Sequence, residues 1–173
     1  MQRKSWADAN CPMARSVDLI GEWGSLLILR EAFSGVRRFD EFQKQIGISR
    51  NLLTTRLKKL VDGGVLERRP VHSDAKRHEY VLTEKGEDLF ATIIALRQWG
   101  DRWLFPKGNH PAHMLDGRDQ SPVARIEVRS EQGRKVTLAN LTLKARRANK
   151  SSMRSLSRQR RSELPRVSFH STA

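Results

Sequence analysis

Residues 48–69 read ISRNLLTTRLKKLVDGGVLERR, and two patterns share this stretch. At 100° per residue Leu53, Leu57, Leu60 and Val61 gather on one face of a helix. Asn51, Thr55, Lys58, Lys59 and Asp62 lie on the other, with Thr54 and Arg56 on the flanks. Ser49 is placed to cap this helix, and Gly63-Gly64 ends it. Taken alone, the pattern is that of an ordinary amphipathic helix with a solvated charge face. Whether the polar face reads something depends on what flanks it.

Upstream, Phe39, Phe42 and Ile46 fall at i, i+3 and i+7, which predicts a short helix over Arg38 to Gln45, stopped by Gly47. Two helices joined across Gly47-Ile48 make a helix-turn-helix. Earlier still, Cys11-Pro12 opens a helix that runs to about Ile20, because Pro at the first helical position gives up a donor that had no partner anyway. A nearly all-apolar helix follows Trp23-Gly24-Ser25 and ends near Ser34-Gly35.

Downstream, the period changes from helical to alternating. Val65 to Val71 and Arg77 to Leu82 read as a hairpin around the polar, basic tip His72 to Lys76. Thr83 then caps a last helix predicted to reach about Trp103. In it Leu89, Ile93, Leu96, Gly100 and Trp103 repeat at a spacing near 3.5, with Phe90, Ile94 and Leu104 beside them. That is more apolar surface than one face needs, and it predicts a partner helix from a second copy; a broad core-facing stripe is the alternative.

Lys and Arg number 33 against 19 Asp and Glu in 173 residues, a formal charge of +14, and this excess calls for an anionic partner. Residues 1–103 carry only +4 of it, whereas residues 144–173 carry +8. The single cysteine, Cys11, excludes an internal disulfide framework and suits a reducing compartment. The polar opening residues and the lack of any apolar run near the roughly 20 residues that span a bilayer predict a soluble, cytoplasmic protein without membrane contact. His110 and His113 are spaced like a ligand pair, but no acidic or sulfur partners complete a tetrahedral set, so no metal is expected. With no phosphate-cradling glycine loop, nucleophile elbow or HExxH, the sequence offers neither an enzymatic reading nor a cofactor site.

The domain plan that follows is an N-terminal arm (1–10), a domain over 11–104, and a linker (105–122). A β-hairpin extension (123–143) comes next, its strands alternating around Ser130 to Gly133, and then a basic disordered tail (144–173).

The order helix, helix, helix-turn-helix, hairpin, helix is that of a winged helix domain, and the residues themselves resemble a known family. CPMARSVDLIGEWGSLLILREAFSGVRRFDEFQKQIGISRNLLTTRLKKLVDGGVLERR, followed by HEYVLTEKG and LRQWGDRW, is similar to the HxlR-type bacterial transcription regulators of the MarR-like superfamily over about residues 11–104. The resemblance implies a mainly α (α+β) winged helix-turn-helix fold with a two-stranded wing and a long C-terminal dimerisation helix. It further implies a homodimeric, sequence-specific DNA-binding regulator, a repressor sooner than an activator, with Ser49 to Leu60 as recognition helix and His72 to His78 as wing. Glu22 and Gly24 flank Trp23 where the family more often has a lysine and a small hydroxyl residue.

Within that frame Ser49, Arg50, Asn51, Thr54, Thr55 and Arg56 offer donors and acceptors to base edges near the helix start, and Lys58 and Lys59 suit phosphates. Arg37, Arg38, Lys76, Arg77 and His78 flank them and are expected at phosphates or the minor groove of double-stranded DNA. Leu89, Ile93, Leu96 and Trp103 are the expected dimer contacts. Cys11 stands where the positive end of a helix dipole favours a reactive thiolate, and some members of the family sense oxidants at this place, so an oxidant or small-molecule effector is a further expectation. The competing reading of Cys11 is a small residue packed at the dimer interface. Trp23, Trp99 and Trp103 could line a small-molecule pocket, although in helices such residues more often serve core and interface. The alternative function is nonspecific nucleic-acid binding driven by the basic tail.

Overall fold

Three helices, α1 (Pro12–Ile20), α2 (Ser25–Phe33) and α3 (Phe39–Ile46), lead into the long α4 (Arg50–Asp62). Strands β1 (Leu66–Pro70) and β2 (His78–Leu82), a single-turn α5 (Glu84–Glu87) and α6 (Phe90–Trp103) follow. The structure is a computed structural model that describes residues 5–71, 77–106, 109 and 111–144. The chain divides into two compact units between Ile126 and Glu127.

The caps fall where the sequence places them. Ser49 Oγ accepts from the Leu52 amide, Glu41 reaches back to the Arg38 amide, and Gly47 closes α3 in the left-handed region at φ 72°. The double glycine divides its labour. Gly64 is left-handed (φ 67°), whereas Gly63 is right-handed and leaves room for Leu19, whose Cδ1 would lie 2.3 Å from a Cβ built there.

The core of the first unit is made by α2, α3, α4 and the start of β1. Ile28, Leu29, Phe42, Leu53, Leu57, Leu60, Val65 and Leu66 are all buried. The three α4 leucines are each the kind of side chain whose truncation to Ala costs about 2–5 kcal/mol. Tyr80 of β2 meets Phe42 edge-on at 6.4 Å, and Phe33 of α2 meets Phe90 of α6 at 5.3 Å, so the sheet and the last helix each lean on the core through an aromatic pair.

The two strands pair antiparallel from Leu66 opposite Leu82 to Pro70 opposite His78. The Tyr80 amide also donates to the Arg37 carbonyl at 2.8 Å, which ties the stretch before α3 to the outer edge of β2. The wing tip at 72–76, including Lys76, lies outside the described residues.

Three expectations are corrected. The last helix is not continuous from Thr83: Thr83 does cap a helix, its Oγ1 accepting from the Gly86 amide, but that helix ends at Glu87 and α6 starts at Phe90. The expected linker is folded in part. Leu115 bridges to Pro122 around a turn in which Asp116 accepts from the Arg118 amide and side chain, and Gln98 of α6 donates to the Ala124 carbonyl while accepting from the Ile126 amide. The expected hairpin over 123–143 shrinks to an Arg129–Lys135 bridge around Ser130 to Gly133, closed by Glu127 pairing with both Arg129 and Lys135. Apart from the half-buried Val136, its alternating residues are exposed and bury too little to extend the ladder. The described residues end at Lys144, so the tail lies outside them.

Gly86 fixes how closely α5 approaches the sheet. A Cβ there would lie 2.2 Å from the Val65 carbonyl oxygen, a backbone atom that cannot swing aside. Gly86→Ala is therefore expected to destabilise the domain by about 2 kcal/mol in urea unfolding. Gly100→Ala, inside α6 with its nearest neighbour 4.0 Å away, is expected to stabilise it by about 0.5–1 kcal/mol.

Candidate nucleic-acid interface

With Leu53, Leu57 and Leu60 sunk into the core, α4 presents Arg50, Asn51, Thr54, Thr55 and Lys58 to solvent, all exposed. Ser49 is exposed as well, and its side chain is committed to the cap. Thr54 Oγ1 donates to the Arg50 carbonyl at 2.8 Å and Thr55 Oγ1 to the Asn51 carbonyl at 2.9 Å. Each hydroxyl has thus given its proton to the helix. What it offers outward is a lone pair and a methyl group, suited to the amino groups of adenine or cytosine and to the methyl of thymine. Asn51 offers both a donor and an acceptor, the combination that fits adenine. The Arg50 guanidinium lies 4.9 Å from the Phe39 ring centre, so an aromatic face rather than a carboxylate orients it.

Arg56 and Lys59 are placed differently from Arg50 and Lys58. Both were expected among the DNA contacts, and both turn toward Glu22. Arg56 Nη1 pairs with Glu22 Oε2, Arg56 Nε donates to the Trp23 carbonyl at 2.9 Å, and Lys59 Nζ meets Glu22 Oε1 at 2.7 Å. The Glu22 side chain is only 13% exposed, so its charge is shielded from water and needs these two cations. The pair anchors the loop between α1 and α2 onto α4. Lys58 instead pairs with Asp62 in the open, 72% and 60% exposed, a contact worth at most about 1 kcal/mol that an incoming phosphate can replace.

Arg37 and Arg38 are exposed before α3, and Arg77 is exposed beside the half-buried His78 at the start of β2. The structure brings Arg38, Arg50, Arg77 and His78 to one place, together with Phe39, Asp40, Arg68 and Tyr80. Arg68 has no periodic signal in the sequence; strand alternation separates it from Arg69, which could have marked it. Arg69 Nη2 donates to Glu67 Oε2 at 2.8 Å, a bond that holds the Glu67 carboxyl below and the Arg69 guanidinium above their usual ranges. Arg68 Nη2 meets His78 Nδ1 at 3.1 Å instead.

The expected dimer contacts separate by depth. Ile93 is 8% exposed and belongs to the protomer's own core, and Leu89 packs against that core, so both face inward. Leu96 and Trp103 are exposed, and Trp99 stands with them on the same helix face. The 3.5 repeat thus joins residues at the core-facing edge of the stripe to residues at its exposed edge. Trp23, Trp99 and Trp103, 52–66% exposed, are not core residues. Cys11 is the N-cap of α1, is exposed, and makes no side-chain cap bond. Among the described residues no group of His, Cys, Asp or Glu is arranged to hold a metal ion, and none of their helices is long and apolar enough to cross a membrane.

A family model for HxlR-like helix-turn-helix proteins matches residues 19–107. Rv3095 of Mycobacterium tuberculosis, an uncharacterized HTH-type transcriptional regulator, is 44% identical over 134 residues, 75% of this chain and 82% of that protein. That alignment is longer than the winged helix, so the relative shares part of the flanking chain. The crystal structure of PA1607, a candidate transcription factor, superposes with a TM-score of 0.77 at 38% identity, covering 82% of this chain and 99% of that one. PA1374 from Pseudomonas aeruginosa, also a candidate transcription factor, superposes with a TM-score of 0.58 at 38% identity, covering 84% and 99%. These relatives are regulators of transcription, not enzymes. A winged helix with an exposed polar α4, a family model spanning half of the chain and a relative so similar over three-quarters of it lead to one conclusion: the chain belongs to the HxlR-like helix-turn-helix family of DNA-binding transcriptional regulators.

Proposed function

We propose that the chain binds a specific operator as a homodimer in the bacterial cytoplasm, with α4 in the major groove. The observation that carries this reading is the sorting of α4, in which Leu53, Leu57 and Leu60 are buried while Arg50, Asn51, Thr54 and Thr55 stay exposed beside one another. Arg37, Arg38, Lys58, Arg77 and His78 supply backbone contacts on either side, with Lys76 of the wing tip. Two copies would place their α4 helices at half-sites about one helical turn, roughly 34 Å, apart. A bound dimer excludes other proteins from the DNA it covers, which makes repression the simplest output.

Selection of duplexes from a random pool tests the assignment. Asn51→Ala is expected to relax preference at one base pair and cost about 1–3 kcal/mol on the selected site. Arg38→Ala should weaken all sequences alike and flatten the salt dependence by about one phosphate's share. Removing residues 145–173 should lower affinity for every duplex and leave the Asn51 effect intact. Loss of all preference on that truncation would return the function to the basic tail.

The dimer reading is supported by the exposed stripe of Leu96, Trp99 and Trp103 on α6, with Met13 and Val17 exposed on α1. Large aromatic side chains are the residues that most often dominate an interface. Trp99→Glu should yield a folded monomer in analytical ultracentrifugation, with dimer affinity reduced at least about thirtyfold and operator binding lost in parallel. An unchanged dimer would move the interface off α6.

A second reading adds a thiol response, supported by the exposure of Cys11 at the positive end of α1. With one cysteine per chain, a disulfide formed on oxidation would have to join two subunits or the protein and a small thiol. Diamide is expected to release the operator from the wild type and not from Cys11→Ser; equal release from both would exclude Cys11 as the sensor.

A further inference from the structure

Between the starts of α3 and α4 and the base of the wing lies a cleft of about 320 Å3. Arg38, Arg50, Arg68, Arg77 and His78 line it, and Asp40 is the one carboxylate residue among its walls. Guanidinium groups remain protonated throughout the range in which proteins function, so this excess cannot be relieved by losing protons. Several arginines outside the cleft are matched within the chain: Arg56 by Glu22, Arg69 by Glu67, Arg97 by Asp101 and Arg118 by Asp116. Among the described residues none of the four cleft arginines forms an ion pair. Arg50 lies over Phe39 and Arg68 meets His78, which leaves the local charge uncompensated.

The donors are also aimed. Arg68 Nη2 meets His78 Nδ1 at 3.1 Å, and both side chains line the cleft. Forked guanidinium groups from a strand and from two helices, converging on one concave space, match the several acceptor oxygens of a phosphate group better than a single carboxylate.

We infer that this cleft is a seat for one phosphate group, a backbone phosphate of the operator, and that Arg68 is the residue which makes it. This rests on α4 being the DNA-facing helix. The seat fixes α3, α4 and the wing on a single anion and so sets the depth and angle at which α4 enters the groove. A free phosphate ester has the same chemistry and would compete for the place.

The test compares Arg68→Gln with Arg69→Gln in the full chain. These variants remove the same charge from neighbouring positions of β1, but Arg69 is held by Glu67. Binding of a duplex selected by the wild type from a random pool is followed by anisotropy across a KCl series. R68Q is expected to weaken binding about tenfold and lower the slope of log K against log salt by about 0.9, while R69Q stays within about twofold of wild type. Inorganic phosphate is titrated separately into the DNA-free protein at constant ionic strength, with the arginine Nε–H resonances observed by NMR. Shifts present in wild type and absent in R68Q support the seat even if α4 proves not to contact DNA, and identify free phosphate as an occupant. A response confined to the DNA arm supports the seat with the operator as its source. Equal effects of R68Q and R69Q on DNA, with no phosphate response, would overturn it.

Discussion

The burial of Leu53, Leu57 and Leu60 is the constraint on which the functional surface depends. A helix that reads DNA must hold its polar side chains against a groove within a fraction of a helical turn. Its own hydrogen bonds fix the helix but not its rotation about its axis. The three leucines set that rotation, because turning α4 would lift them from Ile28, Leu29 and Phe42 at several kcal/mol each. The exposed set is therefore chosen by the core, and the identity of those residues is left free of packing constraints.

Electrostatics then divides the basic side chains of α4 into two classes. Arg56 and Lys59 are spent on Glu22, a carboxylate too shielded to stand alone, and they act as fasteners between α4 and the preceding loop. Arg50 and Lys58 are held by an aromatic face and by a solvated pair, both weak enough to exchange for contacts with DNA. Counting positive charges along a helix overstates its capacity for phosphate when some of them neutralise the protein's own acids.

Most of the fold was legible because local rules and global packing agree. Pro12, Ser49, Gly47 and Thr83 mark element ends by mechanisms that operate within a few residues, and the ends fall there. The site was legible where exposure follows from helical phase, as for Asn51 and Thr55. It was not legible where a partner lies far along the chain. Nothing in the spacing announces that Glu22 would claim Arg56 from so far along the chain, or that Arg68 would meet His78 across the hairpin. The 3.5 repeat in α6 does not by itself separate core from surface: Leu89 and Ile93 satisfy the pattern and pack in the protomer's own core, while Leu96 and Trp103 satisfy it and stay exposed.

The hydrogen bonds of Thr54 and Thr55 carry a consequence for the kind of sequence α4 can prefer. A free hydroxyl can donate or accept and so discriminates poorly between base edges. Once its proton is committed to the carbonyl four residues back, it can only accept, and its methyl group is held outward beside it. The exposed face of α4 then offers lone pairs at Thr54 and Thr55, beside the mixed donor and acceptor of Asn51 and the guanidinium of Arg50. At these two positions the helix backbone takes away a choice, so that both threonines offer the same fixed chemistry while Asn51 and Arg50 keep their own.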